Sequence, residues 1–376
     1  MSSESVELRS TLGGLTNSGW SGPLETVRRE HFLGEAVFRP AEGPEGPVWE
    51  PIRRDRVHPD RWLAMAYADE TWVTQVNGVM AEDATGAMTG APTSSSTKPS
   101  LVVRMLERAG IGEDDRVLEI GTGTGYSTGL MCERLGDSHV TSVEFDPAVA
   151  GRARSALRTT GYTPTLLVGD GLSVYDEDAE YDRLIATCSV RYVPVPWLWQ
   201  VRDGGTITTP LSGWMSATVL AHLTLADDGT AGGRFLADEL SFMFARAHDR
   251  PPRSHYLLGI GEERDSLIDP RLLEDPTGLF VAQLAAPSAE KLGMGNRVIL
   301  LDVATGSQCS TEPLPGGGWK VRQHGPLRLW DAVEQAISTW QSAGSPGKEA
   351  FGLTVTRDSQ RVWLGDPSSP SWNLPA

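Results

Sequence analysis

The 376-residue sequence predicts an α/β fold built on an open, Rossmann-like parallel sheet. Two observations carry that prediction. The first is Val117-Leu-Glu119-Ile-Gly121-Thr122-Gly123-Thr-Gly125-Tyr126, in which a strand over Arg116 to Ile120 breaks into a glycine turn and then at once into a helix running from about Thr124 to Leu135. The second is the way three later strands end. Val140 to Val143 ends in Glu144, Thr165 to Val168 ends in Gly169-Asp170-Gly171, and Tyr181 to Ala186 leads to Thr187-Cys188. In an open parallel sheet such strand ends converge on one crevice.

A crevice of this kind holds a dinucleotide or S-adenosylmethionine. The dinucleotide fingerprint needs a third glycine three positions after the second, and Tyr126 stands there instead. No Gly-Lys-Ser/Thr ending of a phosphate-binding loop is present either, so a pyrophosphate loses support twice. Glu144 lies 25 positions after Glu119, where a carboxylate can accept both ribose hydroxyls.

Upstream, a helix is predicted from Pro99, with Leu101, Val102, Met105, Leu106 and Ala109 along one face. Ser94, Ser95, Ser96 and Thr97 would then gather hydroxyls and free backbone N–H groups at its N-terminus, a place suited to a carboxylate. A single Ser or Thr would serve a plain cap, and four exceed that need.

At this point the chain resembles the protein-L-isoaspartate O-methyltransferase family. The matching residues are Val27-Arg-Arg-Glu-His-Phe32, Ser95-Ser96-Thr97-Lys98-Pro99, Val117 to Tyr126, Val143-Glu144, Gly169 to Gly171, Tyr181 to Arg183, and Gly204-Gly205 before Thr206 to Pro210. The resemblance implies a class I methyltransferase sheet of seven strands, with S-adenosyl-L-methionine as donor and S-adenosyl-L-homocysteine as product. It implies cofactor contacts from Glu119, Gly121, Thr122, Gly123, Tyr126, Ser127, Glu144, Phe145, Asp170, Gly171 and Thr187, and no metal. Ser95, Ser96 and Thr97 take the catalytic positions, and Ser94, Ser95, Thr97 and Lys98 would meet the substrate.

Two departures bear on the acceptor. The family usually reads Thr-Ile-Ser-Gln-Pro, and here Thr97 occupies the serine position, keeping a hydroxyl but adding a methyl. The chain also continues well past the catalytic part. Both features resemble tailoring methyltransferases of ribosomal peptides, the lanthipeptide and graspetide classes, which modify an aspartate in a precursor peptide. Alternatives are an isoaspartyl repair enzyme and a non-catalytic peptide-binding partner in a maturation complex. Intact Glu119, Glu144 and Asp170 count against the last.

Three regions are expected: an N-terminal cap over 1–80, the methyltransferase domain over 81–246, and a smaller α+β domain over 254–376. The cap is read as short helices with proline-rich turns such as Pro40 to Pro51, its Trp20, Trp49, Trp62 and Trp72 serving the core more than a peptide groove. Ala84 to Thr93 reads as a mobile loop. A helix after Glu144 takes Asp146 as N-cap and Pro147 in its first turn, with Val149, Ala153, Ala156 and Leu157 toward the sheet. Val193 to Trp197 leads into a helix ending at Gly204-Gly205, and strands over Ala217 to Ala226 and Arg234 to Phe244 close the sheet.

The boundary is placed at Arg246 to His255, where prolines and positive charge interrupt the pattern. Beyond it, Phe280 to Leu284 and Arg297 to Leu301 read as strands, Leu329, Trp330, Val333, Ala336, Ile337 and Trp340 as one helix face, and Phe351 to Leu364 as a hairpin. Peptide binding is the expected use of this module.

A formal charge of −16 excludes the basic footprint of a nucleic-acid binder. Cys132, Cys188 and Cys309 show neither disulfide nor metal-ligand spacing, and no run of about 18 apolar residues exists. A soluble, cytoplasmic enzyme is the expectation, its partner a peptide and its oligomeric state open.

Overall fold

The computed structural model describes residues 3–44, 46–173, 180–238, 240–293 and 297–375. The chain divides into two compact units, Met1–Cys188 with Trp199–Thr208, and Ser189–Leu198 with Thr209–Ala376.

The first unit opens with α1 (Ser3–Gly13) and α2 (Ser21–Thr26). The expected proline-rich turns are instead a hairpin, β1 (Ala36–Gly43) against β2 (Gly46–Arg53), in which Pro40 faces Trp49 and Phe38 faces Pro51. Pro47 and Pro51 are tolerated because β2 is the edge strand. After α3 (Pro59–Tyr67) come β3 (Trp72–Val76) and β4 (Val79–Met80), which extend this sheet in the order β2-β1-β3-β4. Trp20 and Trp62 are each 2% exposed and pack in the core, whereas Trp49 and Trp72 are half-buried.

The segment 84–91 is tied to the hairpin. Met88 and Trp49 exchange backbone hydrogen bonds of 2.7 and 2.9 Å, and the Trp49 indole donates to the Gly90 carbonyl. It leads into β5 (Pro92–Ser96), which pairs antiparallel with β3.

The parallel sheet comes next. α4 (Pro99–Arg108) precedes β6 (Val117–Ile120), α5 (Tyr126–Leu135), β7 (Val140–Glu144), α6 (Pro147–Thr160), β8 (Thr165–Val168), β9 (Tyr181–Ala186) and β10 (Val201–Ser212). The order within this unit is β10-β9-β6-β7-β8, with β6 paired in parallel to both β7 and β9. Central β6 is buried along its whole length, which explains why it is apolar except at Glu119. As expected, Asp146 caps α6, accepting from Ala148 N and Val149 N, and Val149, Ala153 and Leu157 are buried, while Ala156 is only partly so.

One expected helix is shorter than the sequence suggested. It spans only α7 (Val195–Leu198), and Gly204-Gly205 lies inside β10, where the register shifts between Val201 and Thr206. Gly204 has φ +72°, and a Cβ on Gly205 would stand 2.8 Å from the Asp182 carbonyl, so the pair forms a bulge that only glycine fits.

In the second unit, β11 (Thr218–Leu225), β12 (Ala231–Leu236), β18 (Phe351–Val355), β19 (Gln360–Leu364) and β20 (Ser371–Asn373) are joined antiparallel, in the order β11-β12-β18-β19-β20. Both strands expected to close the sheet form, as β11 and β12, the second of them ending at Leu236 instead of Phe244. Between β12 and β18 the chain builds a sheet of β13 (Glu262–Ser266), β14 (Ala289–Leu292), β15 (Ile299–Asp302), β16 (Gln308–Pro313) and β17 (Trp319–His324), ordered β13-β17-β16-β15-β14.

Phe280 to Leu284, expected as a strand, lies in helix α8 (Pro276–Ala285). Its Asp275 N-cap accepts from Thr277 N and Gly278 N, with Pro276 in the first turn. A short apolar run fits a buried helix as well as a strand, and here the cap decides. α9 (Leu329–Ser342) buries the predicted face Leu329, Trp330, Val333, Ala336, Ile337 and Trp340. No helix among the described residues is long and apolar enough to cross a membrane.

Candidate active site

The glycine turn between β6 and α5 holds three left-handed or otherwise positive backbone angles, at Gly121 (φ +99°), Gly123 (φ +55°) and Gly125 (φ +87°). Such angles strain any residue with a Cβ. At Gly121 the space is also taken, since a Cβ would stand 2.9 Å from Thr187 Oγ1. Thr187 Oγ1 donates to the Gly121 carbonyl at 2.5 Å and its amide donates to the Ile120 carbonyl, so the end of β9 props the start of the turn.

Glu144 ends β7 beside the turn. Its Oε2 accepts from Gly123 N at 2.8 Å and its Oε1 from Asp146 N at 3.0 Å. Phe145, next to it, is 52% exposed, a flat apolar face at the end of the strand. Asp170 caps the turn after β8, accepting from Leu172 N, and a Cβ on Gly171 would meet Ile120 Cγ2 at 2.5 Å. The ends of β6, β7, β8 and β9 thus converge as the spacing predicted.

Three predicted cofactor residues point into the protein. Glu119 is fully buried, its Oε1 accepting from Ser127 Oγ at 2.5 Å and its Oε2 from Thr128 Oγ1 at 2.5 Å and Ser142 Oγ at 2.7 Å. Burial raises its pKa above the ordinary value, against the opposing effect of the three hydroxyls, and Glu144 adds a smaller push upward. Thr122 directs its hydroxyl at Ser142 Oγ, 2.6 Å away, and Tyr126 packs its buried ring against Phe32, with centroids 5.8 Å apart. Burial raises the Tyr126 phenol as well. These side chains, with Ser127, brace the turn from within the protein.

The hydroxyl segment requires a correction. Ser94, Ser95 and Ser96 are strand residues of β5 and not a helix cap, and no side-chain cap bond forms at Lys98, the N-cap of α4. The Ser100 amide in the first turn of α4 is taken by Asp69 Oδ1 at 2.8 Å, and the Lys98 amide by Thr71 Oγ1 at 3.1 Å. Alternation along the strand then sorts the hydroxyls. Ser94 and Ser96 are buried, Ser94 Oγ accepting from Thr74 Oγ1 at 3.1 Å, whereas Ser95 and Thr97 are only partly covered.

The strand also crosses close to the glycine turn. Ser95 O lies 3.7 Å from where a Gly123 Cβ would stand. A cavity of about 320 Å³ opens on the Ser94 side, lined by Thr74, Gly123, Thr124 and Arg152 among others but not by Ser95 or Thr97. Arg152 is ion-paired there with Glu82.

Sequence reading missed one residue of this region. Arg29, inside the Val27 to Phe32 motif, is buried and bonds the carbonyls of Ser96 and Thr97. A charged residue gives no periodic signal of burial, so only the motif could have pointed to it. Cys188 follows β9, and burial pushes its thiol up to about 12.

Residues 50–237, half of the chain, match the model of the family described as protein-L-isoaspartate(D-aspartate) O-methyltransferase. The chain belongs to this family. A protein-L-isoaspartate O-methyltransferase of Ignicoccus hospitalis is 38% identical over 133 residues, 35% of this chain and 63% of that protein. Protein-L-isoaspartate O-methyltransferase 2 of Archaeoglobus fulgidus is 36% identical over 115 residues, 30% of this chain and 52% of that protein. The chain thus spans between half and two thirds of these curated relatives. A solved structure named as a protein-L-isoaspartate O-methyltransferase shares the fold with a TM-score of 0.55 at 19% identity, over 96% of this chain and all of the other. The region past the catalytic part, expected to set this chain apart, therefore lies within a fold that this family member shares.

Proposed function

We propose that this protein is an S-adenosylmethionine-dependent carboxyl O-methyltransferase acting on an aspartyl carboxylate of a peptide. The observation that carries the reading is the approach of β5 to the glycine turn, with the Ser95 carbonyl 3.7 Å from the position of a Gly123 Cβ. It brings a strand with hydroxyls on its partly covered face to the turn that the family resemblance assigns to the methyl donor.

The crevice fits the cofactor. Gly123 leaves the backbone open to a ligand, Glu144 would accept the ribose hydroxyls, and exposed Phe145 offers a face for the adenine. When bound, S-adenosylmethionine supplies an electrophilic methyl on a sulfonium. An aspartyl carboxylate, with an ordinary pKa of about 3.9, is already ionised at neutral pH and needs no general base. Its oxygen forms the new C–O bond as the C–S bond breaks, the electron pair leaving with sulfur. Thr97 and Ser95 orient and partly desolvate that carboxylate, so alignment supplies most of the acceleration. The ester makes the carboxyl a better electrophile, and attack by the next backbone nitrogen would give an aspartimide and methanol. Hydrolysis of that ring gives aspartate or isoaspartate.

The acceptor we propose is an aspartate in a modified ribosomal precursor peptide of the lanthipeptide or graspetide kind, because Thr97 replaces the family's serine. The second reading, methylation of isoaspartyl residues in damaged proteins, is favoured by the names of the relatives. Incubation with cofactor and both kinds of peptide, followed by mass spectrometry, separates them. A gain of one methyl, or loss of water through the aspartimide, on the precursor supports the first. Turnover of an isoaspartyl peptide alone establishes the second.

A further inference from the structure

Arg29 is 0% exposed and sits among carbonyl oxygens. Its Nη1 donates to Ala66 O and Ala68 O, both at 2.8 Å. Its Nη2 donates to Glu70 O at 2.8 Å, Thr97 O at 3.1 Å and Ser96 O at 3.3 Å. The guanidinium carbon also lies 5.6 Å from the ring centroid of Tyr126, the first residue of α5 after the glycine turn. Burial lowers the Arg29 pKa to about 10, so the side chain remains a cation at neutral pH.

These contacts join parts of the chain that the sheet holds only loosely to one another. β5 pairs with β3 at Trp72–Ser96 and Val73–Ser95, but the register slips beyond Val73. Thr97 lies past the last of these pairs, and its carbonyl is fixed by Arg29. Carbonyl oxygens turned toward one point repel one another unless a cation stands between them, and a planar fork of donors spans several at once. A buried cation bonded to carbonyls, with no carboxylate bonded to it among the described residues, is a poor device for stability alone.

We propose that Arg29 is a positioning residue for methyl transfer: by holding the Ser96 and Thr97 carbonyls, it sets the Thr97 hydroxyl in register over the glycine turn. The proposal rests on the reading of Thr97 as an acceptor-side residue.

Arg29→Lys tests it, since an ammonium keeps the charge but cannot span the carbonyls. Amide hydrogen exchange of residues 92–99 and 117–126 is compared between wild type and variant, together with initial rates on the methylated peptide. Exchange over 92–99 should rise about tenfold while 117–126 stays as protected as before. The kcat should fall about 100-fold, as for a displacement of about 1 Å, with KM for the cofactor unchanged. Unchanged exchange at 92–99, an equal rise in both segments, failure of the variant to fold, or a loss confined to the cofactor's KM would each overturn the proposal. If the wild type methylates no peptide, the proposed function falls, and the exchange comparison still decides the role of Arg29.

Discussion

The amide of Gly123 donates to Glu144 Oε2 at 2.8 Å, so the carboxylate that ends β7 also holds the crest of the glycine turn. One side chain thereby sets the shape of the turn, and in the proposed function it would also accept the ribose hydroxyls. Replacing Glu144 by Gln keeps an oxygen but turns the other acceptor into a donor opposite a backbone N–H. A hydrogen bond to a charged group is worth about 1.5–3 kcal/mol, so S-adenosylhomocysteine should bind roughly 10–100-fold more weakly. Titration calorimetry measures this, and kcat at saturating cofactor should stay near the wild-type value.

Alanine at two glycines of the turn should give unequal effects. At Gly121 the φ of +99° is combined with Thr187 Oγ1 only 2.9 Å from the new Cβ, and that hydroxyl is itself bonded to the Gly121 carbonyl. At Gly123 the φ of +55° is left-handed helical, and the nearest atom is Ser95 O at 3.7 Å. Left-handed backbone alone costs about 1–2 kcal/mol. Gly123→Ala should lose about that much stability, and Gly121→Ala clearly more, with weaker cofactor binding. Urea unfolding of both variants gives the order, and equal losses would contradict the steric argument.

Thr97→Ala removes the hydroxyl from the partly covered face of β5 while leaving the carbonyl that Arg29 holds. Methyl transfer should fall about 10–100-fold, the worth of one bond to a charged carboxylate, without loss of cofactor affinity. Thr97→Ser keeps the hydroxyl and removes only the methyl, so it should retain turnover and raise activity on an isoaspartyl peptide relative to an aspartyl one. Competition between the two peptides, read by mass spectrometry, gives the ratio.

The same segment shows where sequence reading stops. The path from β6 through the turn into α5 was legible because glycine spacing and a short, mostly apolar strand are local signals. That Ser94 to Ser96 form a strand was not, because the partner β3 lies about twenty residues earlier and the polar residues carry no alternation of their own. Phe280 to Leu284 read as a strand only when the apolar run is weighed without Asp275-Pro276 before it, the cap that starts α8. The carboxylate of Glu119 stands out in the sequence, but its three hydroxyl partners come from two different elements and only the fold brings them together.

Those partners give Glu119 a pH signature. Burial is the largest influence on it and raises its pKa in the folded protein above the ordinary 4.5. A carboxyl with a raised folded pKa binds its proton more tightly when folded, so its contribution to stability is fully present below the unfolded pKa and is lost as pH rises through the folded one. Glu119→Gln cannot ionise and has no such dependence. The stability of the wild type relative to the variant should therefore decline from about pH 4.5 upward, by at most about 1.4 kcal/mol per pH unit, and level off above the folded pKa. Urea unfolding of both proteins between about pH 4 and 8 measures the difference, in which groups unaffected by the substitution cancel. A difference that stays constant with pH would mean that the hydroxyls of Ser127, Thr128 and Ser142 compensate the burial in full, and one that grows in favour of the wild type would mean that they outweigh it.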